Sequence, residues 1–299
     1  MIDTSVEKMR AEFFRRWGVN QRGGPAARLS RWRNMHHLLL QRLGWQRWVR
    51  GRVFWGDPMW LCTGETVSKG LLAFGYSECA LTSLMLEALR PGMRFLDVGA
   101  HVGYESMLAA IIVGESGRVV SFEPQRQLAR YAHENLKLYP WIRQVPSAVG
   151  DHTGITEFKE QDVALSAFSA ASVKNANDSG RRYQVPVTTV DDALEGTERP
   201  VDFIKCDTEG GEMAVLRGAV GVLRSDRPLL VLEGEMPTGS ARPRLREFVD
   251  FLAPFGYQAL AFEFDGAFRV GRIEELRVGH ANVAFVHPSR REFSFLLQR

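Results

Sequence analysis

The spacing of apolar positions along the chain changes near residue 80. Residues 1–75 lack the two-residue alternation of strands, and we therefore predict short helices for them. Glycine and proline breaks separate these helices at Gly23-Gly24-Pro25, Gly44, Gly51 and Asp57-Pro58. Beyond residue 75, short apolar runs alternate with stretches of helical spacing, which is typical of a parallel sheet with helices on both faces.

The second region, residues 76–299, predicts an α/β fold with a seven-stranded, mostly parallel sheet. The strand-like runs are 94–99, 117–123, 143–150, 201–207, 228–235, 257–264 and 281–288. Helical spacing occupies 79–89, 104–113, 125–138, 212–223 and 244–252. Two short strands at 154–160 and 182–190 are expected as additions, and the last strand is expected to run antiparallel. A polar insert at 161–182 is either a substrate loop or a simple connection.

Charge is distributed unevenly between the two regions. The net charge is +3, but the chain up to Arg52 holds 12 basic residues and three acids, so the remainder is net negative. Such a basic end can attract an acidic carrier, a phosphorylated substrate or a nucleic acid, although a solvated helical face is the simpler explanation. The five tryptophans between Trp32 and Trp60 suggest a packed cap, an acceptor pocket or a homodimer contact.

Other classes of protein are disfavoured by composition. The three cysteines are far apart, so neither a disulfide framework nor a zinc site of usual spacing is expected. The sequence holds neither a long apolar run nor a signal-peptide pattern. We therefore expect a soluble, cytoplasmic protein without a membrane partner.

A glycine-rich turn is the most informative motif. The strand ending in Asp97 is followed by Gly99 and Gly103, and glycines allow the backbone to approach a ligand closely. The spacing Asp-x-Gly-x-x-x-Gly differs from the G-x-G-x-x-G fingerprint that cradles a dinucleotide pyrophosphate. S-adenosylmethionine, which has no pyrophosphate, suits this turn, and Asp97 could attract its ammonium group.

A carboxylate follows at the end of the second strand. Glu123 comes 24 positions after Gly99, where it can accept hydrogen bonds from both hydroxyls of a ribose. Ser147 and Ala148, at the end of the third strand, are placed to border an adenine ring. These positions predict an adenosine-containing cofactor.

The motifs together resemble those of the FkbM-type methyltransferases. They are FLDVGAHVGYES (95–106), VVSFEPQRQLARYAHENLKL (119–138), SAVGDHTG (147–154), VPVTTVDDAL (185–194), DFIKCDTEGGEMAVLRGA (202–219) and PLLVLEGE (228–235). The resemblance implies a class I, Rossmann-like fold and S-adenosylmethionine-dependent O-methylation of sugars, polyketides or other secondary metabolites. Two departures are His101, where the family usually has Asn, and Thr208, where it usually has Ile or Val.

We predict both the residues that contact the cofactor and the residue that acts as the catalytic base. The predicted cofactor contacts are Asp97, Gly99, Ala100, His101, Gly103, Tyr104, Glu123, Pro124, Ser147, Ala148 and Asp207. Because an aliphatic hydroxyl must lose its proton to attack, a base is needed. Asp207 is our first candidate for this base, Glu209 the second, and His101 a third.

The acidic residues near Asp207 admit a second mechanism. Mg²⁺ is an alternative to a base, because carboxylates lie at the ends of two neighbouring predicted strands. The residues concerned are Asp207, Glu209, Glu212, Glu233 and Glu235. Glu212 has a structural alternative as the acid in the first turn of a helix, and Lys205 a simple pairing role.

The predicted function is transfer of methyl to a hydroxyl of a small metabolite. A nicotinamide-dependent oxidoreductase is the alternative enzyme, although its glycine triplet is missing. A non-catalytic cofactor-binding module that docks an acidic partner is the other alternative. Asp207-Thr208-Glu209-Gly210 stands where exocyclic-nitrogen methyltransferases carry an Asn/Asp-Pro-Pro-aromatic motif, which disfavours base methylation of nucleic acid but leaves ribose O-methylation open.

Overall fold

The computed structural model describes residues 4–21, 32, 35–36, 38–40, 42–43, 45–160, 181–233, 241–272 and 282–298. The helices are α1 (Thr4–Gln21), α2 (Thr66–Phe74), α3 (Cys79–Ala88), α4 (Tyr104–Val113), α5 (Arg126–Leu136), α6 (Val190–Ala193), α7 (Glu212–Arg217), α8 (Val220–Ser225) and α9 (Ala241–Leu252). The strands are β1 (Trp48–Arg52), β2 (Pro58–Cys62), β3 (Arg94–Val98), β4 (Arg118–Phe122), β5 (Ile142–Val145), β6 (Ala148–Val149), β7 (Gly154–Glu160), β8 (Arg181–Thr188), β9 (Phe203–Cys206), β10 (Leu229–Glu233), β11 (Gln258–Phe264), β12 (Phe268–Arg272) and β13 (Asn282–Val286).

An eight-stranded sheet forms the centre of the molecule, in the order β12-β11-β13-β10-β9-β3-β4-β5. Neighbouring strands from β10 to β5 are parallel, whereas β13 runs antiparallel between β10 and β11. This arrangement confirms the predicted Rossmann-like fold and the antiparallel last strand. The eighth strand, β12, was missed because it is a short strand that pairs with β11 through a tight turn at Gly266.

The predicted third strand, 143–150, divides in two. Pro146 follows β5, and the chain then enters β6, which belongs to a separate three-stranded sheet of order β6-β8-β7. Proline cannot donate a ladder hydrogen bond, so a break at this point is expected. The strands predicted as additions, near 154–160 and 182–190, are confirmed as β7 and β8.

The predicted helix 212–223 also divides, into α7 and α8. Gly218 lies at the junction, and a Cβ atom there would stand 2.0 Å from the carbonyl oxygen of Gly150. Only glycine permits this approach of the two backbones. Helical spacing alone does not reveal such a contact, which comes from a distant part of the chain.

The predicted helical N-terminal region is confirmed by α1 and α2, but the expectation that residues 1–75 hold no strand is wrong. β1 and β2 form an antiparallel hairpin in this region. In addition, α1 buries Phe13, whose ring centroid lies 5.3 Å from those of both Tyr76 and Phe264. The described part of the N-terminal region therefore packs into the same hydrophobic core as α3, α4 and β11.

The order of the strands places the loops that carry the predicted site. The chain winds outward in both directions from β3 and β9, which are neighbours in the sheet. Ligands of open α/β sheets bind at such a switch point, outside the carboxyl ends of the strands. The loops after β3, β4 and β9 meet there. Among the described helices, none has the length and apolar content required to cross a membrane.

A candidate cofactor cleft at the switch point

A cleft of about 860 Å³, including solvent at its mouth, opens at this switch point. Eight of the residues predicted as site residues line it: Gly99, His101, Glu123, Pro124, Ser147, Ala148, Asp207 and Glu209. Four others, Asp97, Ala100, Gly103 and Tyr104, do not belong to its lining. The carboxyl ends of β3, β4 and β9 thus bring together residues that are more than 100 positions apart.

The turn after β3 depends on Gly99. Its φ angle is +81°, and a Cβ atom would stand 1.8 Å from the carbonyl oxygen of Asp207. Both facts exclude a larger residue without rearrangement. The Gly99 carbonyl in turn accepts a hydrogen bond of 2.8 Å from Lys205 Nζ. The glycine therefore fixes the distance between the β3 loop and the β9 loop.

Three of the predicted residues that do not line the cleft, Asp97, Gly103 and Tyr104, stabilise the same turn through contacts on its buried side. Asp97 is fully buried, and its Oδ2 accepts a hydrogen bond of 2.6 Å from Ser106 Oγ. Tyr104 is buried, with its hydroxyl 3.1 Å from Thr82 Oγ1. A Cβ atom at Gly103 would meet Leu136 at 2.8 Å. Direct contact of these residues with a cofactor stays a prediction.

Both carboxylate oxygens of Glu123 accept hydrogen bonds from backbone amides. Oε2 accepts a hydrogen bond of 2.8 Å from the His101 amide, and Oε1 accepts one of 2.8 Å from the Gln125 amide. Burial raises the pKa of Glu123 to about 7, although these two amides lower it. Since each carboxylate oxygen has a second lone pair, the group can still accept hydrogen bonds from a ligand in the cleft.

Polar atoms that find no partner among the described residues converge beside Glu123. Gln125 is completely buried, and neither Oε1 nor Nε2 of its side chain has a hydrogen-bond partner in the described part of the chain; the same is true of Ser147 Oγ. Both residues line the cleft. An unsatisfied buried polar atom costs about 1–3 kcal/mol, so this arrangement calls for a polar ligand.

These groups fit an adenosine. A carboxylate suits the ribose hydroxyls, and a side-chain amide presents the donor and acceptor that the edge of an adenine ring requires. Sequence reasoning did not identify Gln125. The available signal was its position directly after Glu123-Pro124, at the start of α5.

A buried lysine lies under the cleft. Lys205 Nζ is 3.6 Å from Asp97 Oδ1 and 3.7 Å from Asp207 Oδ2. Burial alone would lower the pKa of Lys205, but Asp207 and Asp97 raise it well above its usual value. Burial raises the pKa of nearby Glu105 to about 8. The sequence predicted a simple ion pair between Lys205 and an acid. In the structure, Lys205 also joins the β3 and β9 loops through its contacts with Gly99 and Asp207.

Three carboxylates gather at the rim of the cleft. One oxygen each from Asp207, Glu209 and Glu233 lies within 4.8 Å of the others. Burial and then the neighbouring acids raise the pKa of Glu209 to about 8 and that of Glu233 to about 9. Like charges this close either share protons or hold a divalent cation. Glu235, predicted as part of the same group, lies outside the described residues.

Glu212 has a structural role instead. It is completely buried and forms an ion pair with Arg244 of α9. Its Oε1 accepts hydrogen bonds from the Thr208 amide at 2.9 Å, Thr208 Oγ1 at 3.0 Å and the Gly210 amide at 3.3 Å. The loop that presents Asp207 and Glu209 is therefore shaped around this one carboxylate.

His101 connects the cleft with the N-terminal region. Its φ angle is +53°, and its Nε2 lies 3.6 Å from Oε1 of the buried Glu65. Glu65 caps α2 by accepting hydrogen bonds from the Val67 and Ser68 amides. Burial lowers the pKa of His101, although Glu65 raises it. Burial thus favours the neutral imidazole, and a residue that sequence reasoning missed, Glu65, orients it.

Known methyltransferases share part of the sequence of this chain. The family model of the methyltransferase FkbM domain matches residues 97–259, which is more than half of the chain. A protein-L-isoaspartate O-methyltransferase of Methanopyrus kandleri is 34% identical over 107 residues, 35% of this chain and 43% of that enzyme. One of Aeropyrum pernix is 36% identical over 104 residues, 34% of this chain and 36% of that enzyme. The chain therefore spans less than half the length of these relatives.

Solved structures resemble the chain more distantly. The crystal structure of the methyltransferase FkbM from Methylobacillus flagellatus is 18% identical, with a TM-score of 0.43 over 74% of this chain and 54% of that one. Aeropyrum pernix fibrillarin, solved with natively bound S-adenosyl-L-methionine, is 15% identical, with a TM-score of 0.40 over 69% of this chain and 74% of that one.

Proposed function

Because the chain belongs to the family of FkbM-domain methyltransferases, we propose that it transfers a methyl group from S-adenosylmethionine to a hydroxyl oxygen of a small metabolite. The observation that carries the proposal is the polar set formed by Glu123, Gln125 and Ser147 beside the Gly99 turn. It matches the chemistry of an adenosine. The carboxylates near Asp207 lie along the same cleft, where a methyl acceptor would be deprotonated.

The charge of the cleft supports a neutral acceptor. Five acids line it, Glu78, Glu105, Glu123, Asp207 and Glu209, against one lysine. Several of them resist ionisation already, because burial and neighbouring acids raise their pKa values. A carboxylate acceptor, such as the isoaspartate in the names of the two curated relatives, would add to this repulsion. A neutral hydroxyl acceptor adds no such repulsion. The acids of the cleft also attract the positively charged sulfonium of the cofactor.

The reaction requires positioning and removal of one proton. S-adenosylmethionine supplies an electrophilic methyl group on its sulfonium. Asp207 lies 3.7 Å from Lys205 Nζ and is our first candidate to accept the hydroxyl proton as the new oxygen–carbon bond forms. The Gly99 turn and Glu123 would hold the cofactor, and the cleft beside them would position the acceptor.

Two further assignments complete this mechanism. Glu209, whose pKa is raised to about 8, is the second candidate base. It becomes effective only toward alkaline pH. A divalent cation on Asp207, Glu209 and Glu233 is the alternative means of acidifying the hydroxyl. Methyl transfer in the presence and absence of EDTA distinguishes this alternative from a protein base.

Calorimetry of the purified protein tests the cofactor. We expect S-adenosylhomocysteine to bind, and Glu123→Gln to weaken its binding by about tenfold to a hundredfold, the usual loss for a hydrogen bond to a charged group. Glu157→Gln, at an exposed carboxylate that pairs with Arg182, is the matched control and should bind as the wild type does. Binding of NAD⁺ or NADP⁺ in place of S-adenosylhomocysteine would refute the proposal.

The acceptor class is tested on the same protein. Release of S-adenosylhomocysteine is followed with panels of hydroxylated, carboxylated and amino compounds, and the products are identified by mass spectrometry. We expect turnover with neutral polyols, sugars or phenols. Methylation confined to carboxylates or amines would retain the cofactor but contradict the proposed acceptor.

A further inference from the structure

A second concave region lies outside the cleft, between α5 and β8. This α5–β8 pocket is defined by Arg126, Arg130 and His133 of α5, by Gln144 of β5, and by Gln184 and Pro186 of β8. Its volume is about 750 Å³, including solvent. Pro124 lines both the pocket and the cleft, so the two are neighbours that face different ligands.

The charge of the pocket is opposite to that of the cleft. Arg126, Arg130 and His133 are spaced by four and three positions, which places them on one face of α5. The described lining contains no carboxylate. Within the described parts of the chain, neither arginine forms a salt bridge, and neither does His133. The nearest acid along the helix, Glu134, is paired with Lys137.

The pocket is held in shape before any ligand arrives. The Arg126 guanidinium lies over the Tyr183 ring, 4.5 Å from its centroid, and the Arg126 amide donates a hydrogen bond of 3.2 Å to the Tyr183 hydroxyl. Gln144 Nε2 donates to the Ala129 carbonyl at 2.7 Å. Three prolines, Pro124, Pro146 and Pro186, stiffen the rim. These contacts reduce the conformational entropy that Arg126 and Gln144 would lose on binding.

We propose that the α5–β8 pocket binds a phosphate group. Two planar guanidinium groups offer several donors in fixed directions, which suits the oxygens of a phosphate better than a single lysine does. The imidazole of His133 and the side-chain amides add further donors. The phosphate belongs either to a small phosphorylated molecule or to the backbone of a nucleic acid. The proposal does not depend on the proposed methyl transfer.

Calorimetry at low ionic strength tests the pocket, with inorganic phosphate, pyrophosphate and a short oligouridylate as probes. Arg130→Gln should weaken binding about tenfold or more, the usual loss for a charged hydrogen bond, and Arg126→Gln should do the same. Arg224→Gln is the matched control, because Arg224 is also an exposed helical arginine over an aromatic ring: its Cζ lies 5.7 Å from the Phe255 centroid, against 5.8 Å from Arg130 Cζ to the Tyr131 centroid. It should bind as the wild type does.

The probes separate the two sources of phosphate. A nucleic acid is supported if oligouridylate binds more tightly than pyrophosphate and if Arg130→Gln weakens this binding. A small phosphorylated molecule is supported if phosphate or pyrophosphate binds more tightly than oligouridylate. No binding by any probe, or equal losses in Arg130→Gln and Arg224→Gln, would overturn the proposal. The thermal unfolding midpoint of each variant without ligand verifies that it is folded.

Discussion

Two buried glutamates near the cleft illustrate how similar residues acquire different tasks. Among the described residues, Glu123 accepts hydrogen bonds from two backbone amides and lines the cleft, which leaves it able to bind a ligand. Glu212 accepts three hydrogen bonds on a single oxygen and an ion pair on the other. Glu212 is therefore fully used by the protein, and we assign it the positioning of the Asp207–Gly211 loop.

Substitution of Glu212 tests this assignment. Glu212→Gln removes the charge that Arg244 pairs with, and loss of one partner of a buried pair costs about 3–5 kcal/mol. We expect a decrease of this size in the free energy of unfolding, measured by urea denaturation. Glu115→Gln, at an exposed position, is the control and should change it by less than about 0.5 kcal/mol. Equal stability of the two variants would contradict the positioning role.

His101 shows how backbone conformation constrains a residue type. Its φ of +53° belongs to the left-handed region, which Asn, Asp and His enter more readily than other residues with a side chain. The Asn expected from the resemblance and the His present here both satisfy this requirement. The substitution therefore keeps the turn, while the imidazole adds a contact with Glu65.

At the scale of elements, one side chain joins three of them. Asn135 of α5 accepts a hydrogen bond of 2.7 Å from the Trp60 amide of β2. Its Nδ2 donates to the carbonyl of Trp60 at 3.2 Å and to that of Val102 at 2.9 Å. Val102 belongs to the turn between Gly99 and Gly103. The N-terminal hairpin is thereby attached to the cofactor turn.

Removal of this contact should loosen both attachments. We expect Asn135→Ala to lower the free energy of unfolding by about 1–3 kcal/mol, because buried backbone groups lose their partners, and to weaken S-adenosylhomocysteine binding. Hydrogen exchange should accelerate in 58–62 and 99–103. Gln127→Ala, at an exposed position of the same helix, is the control. Unchanged exchange in the hairpin of Asn135→Ala would show that the contact does not attach it.

At the scale of the whole molecule, buried carboxyl groups link stability to pH. Burial raises the pKa of Glu105 from 4.5 to about 8. Between these values the folded state binds more protons than the unfolded state, so the contribution of this group to stability decreases as pH rises from about 5 to 8. Glu123, with a pKa raised to about 7, acts in the same direction.

A pH series on one variant measures this linkage. Glu105→Gln cannot ionise, so its stability relative to the wild type should increase as pH rises, by at most about 1.4 kcal/mol per pH unit. Urea denaturation of both proteins between pH 5 and pH 9 provides the comparison. Glu157→Gln should show a difference from the wild type that is nearly constant with pH. A constant difference for Glu105→Gln would contradict the raised pKa.

The sequence by itself determined the features that depend on short stretches of chain. The Asp97–Gly103 turn, Glu123 after β4 and the alternation of strands with helices are local patterns, so periodicity and glycine positions reveal them. The family followed from the same motifs, and the family match confirms it. The N-terminal hairpin, β12 and the positions of the breaks required more than these patterns, as Gly218 shows by its close approach to Gly150.

The tertiary structure decided which distant residues meet. Glu65, Gln125 and Lys205 become parts of the site through the order of the strands and the docking of the N-terminal region, neither of which is encoded in the spacing of a single segment. The same packing brings Glu233 to Asp207 and places Arg126 and Arg130 of α5 at a pocket whose described lining contains no carboxylate. Burial and charge act through space, and their effects on these groups therefore appear only once the chain has folded.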